Sequence, residues 1–261
     1  RYFKSMNQLR EICEVSYGNV QKIREIYPEV EISAHDIVRG ITIPEKIESN
    51  MLTLFALYLT RGSLYNHGSG QFNLNARKED EGLFKKVLGP LVNKIFNIDD
   101  LIRQSDNHKT PWLNNSYRKS RCKMDINSKA HYTFLKYVMG FPTPKENIKV
   151  PIRDSEKENY ATWAGLVAGT GEFIKDVLVM YSQDKRFIET ASSLANKIGF
   201  SPKICNKTIR FKNNQEVEHS IAFDKKDIEK MVSRYVLIDP ILEQKGIFVN
   251  PTHIDYINFT I

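Results

Sequence analysis

The strongest constraint on this chain is a pattern of elements written twice. Each copy opens with an apolar helix that stops at a glycine. In the first, Ile47, Met51, Leu54, Phe55 and Tyr58 recur at helical spacing before Gly62. In the second, Tyr160, Trp163, Ala164 and Val167 do so before Gly171. A strand-like segment follows in each, residues 71–76 and 177–182, and the alternation of Phe72 and Leu74 places apolar side chains on one side of the first. Helical stretches come next, 82–87 and 187–191. Further strands are read at 116–124 and 208–212, and a last helix at 130–138 and 227–232. The order helix, two strands, helix, two strands, helix, stated twice, predicts an α+β fold of two halves with pseudo-twofold symmetry.

The halves are expected at residues 45–151 and 159–261. The stretch 152–158 and the proline-bearing segment before it are charged and read as an exposed linker. The first 44 residues read as a helical extension ending at Pro44. Within it, Leu9 to Ile23 resembles a helix-turn-helix, with Val15-Ser16 opening the second helix. With 261 residues, both halves have enough chain to bury a core.

Composition narrows the partners. Hydrophobic residues make up 41% and charged residues 26%, as in an ordinary soluble domain. Lys and Arg number 38 against 31 Asp and Glu, a formal charge of +7 with pI about 9.1, which is compatible with a polyanion. Cys13, Cys122 and Cys205 are scattered and odd in number, which argues against a zinc site or a disulfide framework and fits a reducing compartment. No run reaches the roughly 18 apolar residues of a membrane span, and Arg1 to Met6 carry no signal core. The expectation from these features is an intracellular protein of cytoplasm or nucleoid, an organelle not being excluded, with no membrane partner; a monomer is expected as well.

The two glycine-terminated helices carry a further signal. Small residues recur every fourth position: Ala56 and Thr60 on one, Ala164 with Ala168 and Gly165 with Gly169 on the other. A glycine inside a helix costs about 1 kcal/mol against alanine, so its presence points to close approach of another backbone. Leu54-Phe55-Ala56-Leu57-Tyr58-Leu59-Thr60-Arg61-Gly62 resembles the nine-residue motif of the LAGLIDADG homing endonucleases. Trp163-Ala164-Gly165-Leu166-Val167-Ala168-Gly169-Thr170-Gly171, followed by Glu172-Phe173, matches it better. The resemblance spans about residues 45–245. It implies that the two helices form a seam through those small residues. It also implies two four-stranded antiparallel sheets that make a saddle for the DNA major groove, which is wide enough for β-ribbons.

The same resemblance points to what is missing. In active members the last acid of each motif holds divalent metal at a scissile phosphate, and a hard cation requires carboxylate oxygens. Arg61 and Thr170 stand at those positions, and Leu59 and Ala168 replace the earlier acid. Glu172 and Asp176 are the possible substitutes. No metal or cofactor is expected, or Mg²⁺ if cleavage is retained. The resemblance also places a phosphate-facing lysine at Lys129 and at Lys226 (or Lys225), and a water-ordering polar residue at Gln183 and Arg77. From the residues themselves, Arg118, Lys119, Arg121 and Lys123 form one basic cluster and Lys203, Lys207, Arg210 and Lys212 another. Gln71, Asn73, Asn75 and Tyr117 offer hydrogen bonds suited to base edges. The function expected is site-specific binding of double-stranded DNA without cleavage. The alternatives are an active endonuclease with unorthodox acids and a maturase that binds intron RNA.

Overall fold

A computed structural model describes residues 14–44, 48–66, 68, 70–96, 113–118, 121–143, 148–174, 177–211, 214–232, 234–235 and 237–246. The chain divides into two compact units, Arg1–Glu146 and Asn147–Ile261.

The first unit begins with helices α1 (Val20–Ile26) and α2 (Ala34–Arg39). Helix α3 (Ser49–Arg61) runs straight into β1 (Gly62–Tyr65), followed by β2 (Gln71–Arg77). A helical turn at Glu81–Leu83 widens into a π turn at Phe84–Leu88 and continues as α4 (Gly89–Phe96). Strands β3 (Leu113–Arg118) and β4 (Arg121–Asn127) form a hairpin, and α5 (Lys129–Thr133) closes the unit through a π turn at Phe134–Val138. The second unit has α6 (Glu156–Thr170), β5 (Gly171–Ile174), β6 (Val177–Ser182), α7 (Lys185–Lys197), β7 (Lys203–Phe211), β8 (Asn214–Phe223), α8 (Lys225–Met231) and α9 (Ile238–Gln244). The predicted order is present in both, and each unit holds one antiparallel four-stranded sheet of the same topology, β1-β2-β4-β3 and β5-β6-β8-β7.

Several elements differ from the sequence reading. The second helix of the first unit passes through Gly89-Pro90 instead of ending near Val87. The Gly89 N–H bonds to the Phe84 carbonyl five residues back, so the ladder is already displaced where Pro90 brings no donor. Residues 116–124 straddle a hairpin and are not one strand. The charged stretch read as linker enters α6 at Glu156. The Ser155 hydroxyl accepts from the Glu158 N–H, and acids in a first turn are favoured by the helix dipole. Helix α1 starts at Val20, beyond Val15-Ser16, and the preceding helix of the suggested helix-turn-helix lies outside the described residues.

The cores are built alike. In the first unit, Tyr58 of α3 stacks on Phe141 at 4.5 Å and lies 6.2 Å from Phe72 of β2. In the second, Trp163 of α6 meets Phe223 of β8 edge-on at 4.9 Å and Phe200 at 5.8 Å. Such pairs add about 0.5–1.5 kcal/mol each beyond their buried area. The inward face of the first sheet is Leu64, Phe72, Leu74, Met124 and Ile126; that of the second is Leu178, Met180, Ile221 and Phe223.

Residues 27–42 clasp α5. Buried Asp36 accepts from the Ser33 N–H (2.9 Å) and hydroxyl (2.7 Å), the Ser128 hydroxyl (2.7 Å) and the Ala130 N–H (3.2 Å). His131 Nε2 donates to the Thr42 carbonyl at 2.8 Å, and the Glu31 N–H donates to the Thr133 hydroxyl at 3.0 Å. This carboxylate satisfies donors at the starts of both α2 and α5, the groups that a helix leaves unpaired.

Candidate nucleic-acid interface

Directly opposed residues of an antiparallel pair share a face, and that face alternates along each strand. The core occupies one face of the first sheet. The register of the other aligns Tyr65, Gln71 and Asn127; then Ser63, Asn73, Asp125 and Asn114; then Asn75, Lys123 and Ser116; then Arg77, Arg121 and Arg118. Arginine and lysine positions thus gather at one end of a face otherwise made of amides, hydroxyls and the carboxylate of Asp125. The signal was present in the alternation of Arg121, Lys123, Asp125 and Asn127 with Cys122, Met124 and Ile126, but naming the row required the register.

Individual residues fare differently. Gln71 and Asn75 are half-buried on this face. Asn73 is 3% exposed and its amide nitrogen, in the orientation that satisfies both groups, donates to the carboxylate of Asp125, itself 6% exposed. Asn73 is therefore engaged by its strand neighbour and not by solvent. Tyr117 falls opposite Cys122, out of line with the basic positions. Lys119 lies outside the described residues.

In the second sheet, Lys203 is exposed and opposes Ala222, Lys207 opposes Glu218, and Arg210 opposes Gln215. Lys203 and Lys207 share one parity of the strand and Arg210 has the other, so the cluster read from the sequence is divided between faces. Lys212 and Asp176 lie outside the described residues. Gln183 is exposed just past the end of β6.

Lys129 opens α5, but its ammonium contacts the Glu31 carboxylate at 3.1 Å and the Asn66 side-chain oxygen at 3.1 Å, with its side chain 18% exposed. Glu31 and Asn66 had no signature in the sequence, because both come from remote turns. In the second unit Lys225, not Lys226, occupies the matching first position of its helix, and both are exposed.

The two motif ends carry no acid. Helix α3 ends at Arg61, whose guanidinium meets Asp80 at 3.5 Å; the side chains are 18% and 15% exposed. Asp80 follows β2 and was not foreseen. Thr170 ends α6 and its hydroxyl donates back to the Leu166 carbonyl at 3.0 Å, a common helix-terminal arrangement. Glu172 is half-buried on β5, opposite Val179. Among the described residues no group of three or more His, Cys, Asp or Glu is placed to hold a metal ion. A guanidinium paired to a carboxylate and a back-bonded hydroxyl do not fit the role of hard-cation ligands.

Ala56, Ala164, Gly165, Ala168 and Gly169, the small residues that the resemblance assigns to a helix seam, are buried, and the Thr60 hydroxyl donates to the Leu57 carbonyl at 2.8 Å. No described helix is long and apolar enough to cross a membrane.

Solved structures that the chain resembles include those of the homing endonuclease I-DmoI and of the LAGLIDADG domain of DUF199/WhiA. The crystal structure of I-DmoI in complex with DNA and Ca aligns with TM-score 0.49 and 17% identity, covering 76% of this chain and 97% of that one. That of I-DmoI in complex with DNA and Mn aligns with TM-score 0.47 and 17% identity over 71% and 96%. The N-terminal LAGLIDADG domain of DUF199/WhiA aligns with TM-score 0.42 and 10% identity over 78% and 84%, and full-length DUF199/WhiA from Thermatoga maritima with TM-score 0.41 and 10% identity over 78% and 62%. No protein-family model and no curated protein matches the sequence. At these identities the site's chemistry rests on this chain's own residues.

Proposed function

We propose that this chain is a LAGLIDADG-like protein that binds double-stranded DNA site-specifically and does not cut it. The observation that carries the reading is the contrast within the first unit. Its outward sheet face aligns Arg77, Arg118, Arg121 and Lys123, while the helix end that would hold a catalytic acid holds Arg61 tied to Asp80. Phosphate contacts by Arg and Lys dominate affinity, and the flanking Gln71, Asn75 and Asn127 offer donors and acceptors of the kind that read base edges in the major groove. Hydrolysis has no comparable support: neither Arg61 nor Thr170 is a carboxylate, the nearby Asp80 is paired to Arg61, and a two-metal displacement needs oxygen ligands that converge.

The test is selection of a bound duplex from a random pool, followed by incubation of that duplex with Mg²⁺ and with Mn²⁺. Retention of intact duplex at both ions is the expected result. Clean double-strand breaks would establish an endonuclease that uses other acids, such as Glu172. Preferential capture of a structured intron RNA over the selected duplex would replace DNA by RNA as the partner.

A further inference from the structure

The two outward sheet faces differ in charge. On the first, Arg77, Arg118, Arg121 and Lys123 stand against Asp125. On the second, the aligned positions are Glu172, Val179, Ala222 and Lys203; then Tyr181, Ser220 and Cys205; then Glu218 and Lys207; then Glu216 and Ile209, with Ile174 opposite Val177 at the other end. Here Lys203 and Lys207 stand against three glutamates, and the middle of the face is Val179, Tyr181 and Ala222. Ile174 is 44% exposed. Burial raises the Tyr181 phenol above its ordinary value, and the carboxylates of Glu172 and Glu218 add to it, so the acids act at the centre of this face.

Binding to a nucleic acid releases counterions only where cations replace them at phosphates. A face with more carboxylates than ammonium groups releases few and repels the backbone. Both sheets share one topology and still cannot share one role. Resting on the duplex-binding reading above, we propose that the phosphate grip is one-sided: the first unit's Arg77, Arg118, Arg121 and Lys123 hold the backbone, and the outward sheet face of the second unit contributes none of the phosphate contacts. The second face meets the duplex, where it does, through apolar and phenolic groups at base edges.

The experiment uses the full chain and its selected duplex. Ethylation interference maps which phosphates matter, and needs no variant. Interfering phosphates confined to one end of the site are expected; interference spread evenly over both ends overturns the proposal. In parallel, affinity is measured against salt for the parent, for Arg77→Ala/Arg121→Ala and for Lys203→Ala/Lys207→Ala. Each phosphate contact contributes about 0.9 to the slope of log affinity against log salt. The first pair should lower the slope by about 2 and weaken binding at least tenfold, and the second should leave both within about twofold of the parent, since Lys207 is opposed by Glu218. Equal loss from the two pairs overturns the one-sided grip but leaves duplex binding intact. A parent chain that binds no duplex even at low salt overturns both.

Discussion

Arg61 shows how one side chain can redirect a site. From the sequence it reads either as a cation standing where metal would screen phosphates or as a side chain folded away from them. The structure pairs it with Asp80 at 3.5 Å, with both groups largely withdrawn from solvent. Arg61→Ala should cost about 1–2 kcal/mol, because the Asp80 carboxylate then loses that guanidinium while still largely buried. The double change Arg61→Ala/Asp80→Asn should cost less than the sum of the single changes, measured by urea denaturation; strict additivity would show that the pair does not interact. His131 gives a pH prediction. Burial lowers its pKa from 6.5 to about 4, while the bond to the Thr42 carbonyl and the charge of Asp36 act in the opposite direction and only partly offset it. A histidine with a folded pKa below its unfolded one contributes stability that is complete above the unfolded value and lost as pH falls toward the folded value. Stability should therefore decline between about pH 6.5 and pH 4. The loss attributable to this residue is on the order of 3 kcal/mol. His131→Gln, which retains a donor for Thr42, should flatten that part of the profile of denaturation midpoint against pH; an unchanged profile would assign the dependence to other groups.

At the level of elements, the junction between motif helix and first strand is the most demanding. Gly62 and Gly171 read as stop signals, and left-handed glycine caps are the usual reason for such stops. Neither adopts that conformation: both have extended backbones, with φ of −95° and −65°. The reason for glycine is close approach. A Cβ at Gly62 would lie 2.8 Å from the Tyr58 Cα, and one at Gly171 would lie 2.6 Å from the Val167 carbonyl oxygen, so backbone and not a pliable side chain would have to move. Gly62→Ala and Gly171→Ala should each destabilise by roughly 1–3 kcal/mol, as overpacking of a tight contact does. Thermal unfolding of the two single variants checks this, and a neutral result at either position would mean the helix end can shift freely. The clasp on α5 belongs to the same scale. Asp36→Ala removes acceptors from the starts of two helices and leaves the Ser128 hydroxyl and the Ala130 N–H without that partner. A loss of about 2–4 kcal/mol is expected. The matching readout is faster amide exchange in both α2 and α5, whereas exchange confined to α2 would show that α5 does not depend on the clasp.

For the whole molecule the prediction is electrostatic. With Arg77, Arg118, Arg121 and Lys123 as the phosphate grip, affinity for duplex should fall by roughly 10² between 50 and 200 mM salt. A flat response would point to a protein partner. Binding in EDTA should equal binding in Mg²⁺, because neither Arg61 nor Thr170 offers a carboxylate for a cation to bridge to phosphate. A requirement for Mg²⁺ would show that Glu172 or another acid supplies a metal site after all.

The duplicated order of elements was legible in the sequence because hydrophobic periodicity is local: Met51, Leu54 and Tyr58 define a helix face, and Phe72 and Leu74 a strand face, without knowledge of what covers them. That Arg61 and Thr170, and not acids, end the two glycine-terminated helices was legible for the same reason, since a motif is a spacing along the chain. Strand register and pairing were not. Tyr117 reads in the sequence as a base-edge group alongside Gln71, Asn73 and Asn75, but the hairpin sets it against Cys122, because a period of two reverses the face with every residue. Asp80, Glu31 and Asn66 reach Arg61 and Lys129 from 19, 98 and 63 residues away along the chain, distances over which no local pattern constrains a contact. The sequence by itself determined the repeat and the absence of an acid at Arg61 and Thr170. Only the tertiary structure decided which charges share a sheet face and which are neutralised by a partner, because those properties depend on where the chain returns in space.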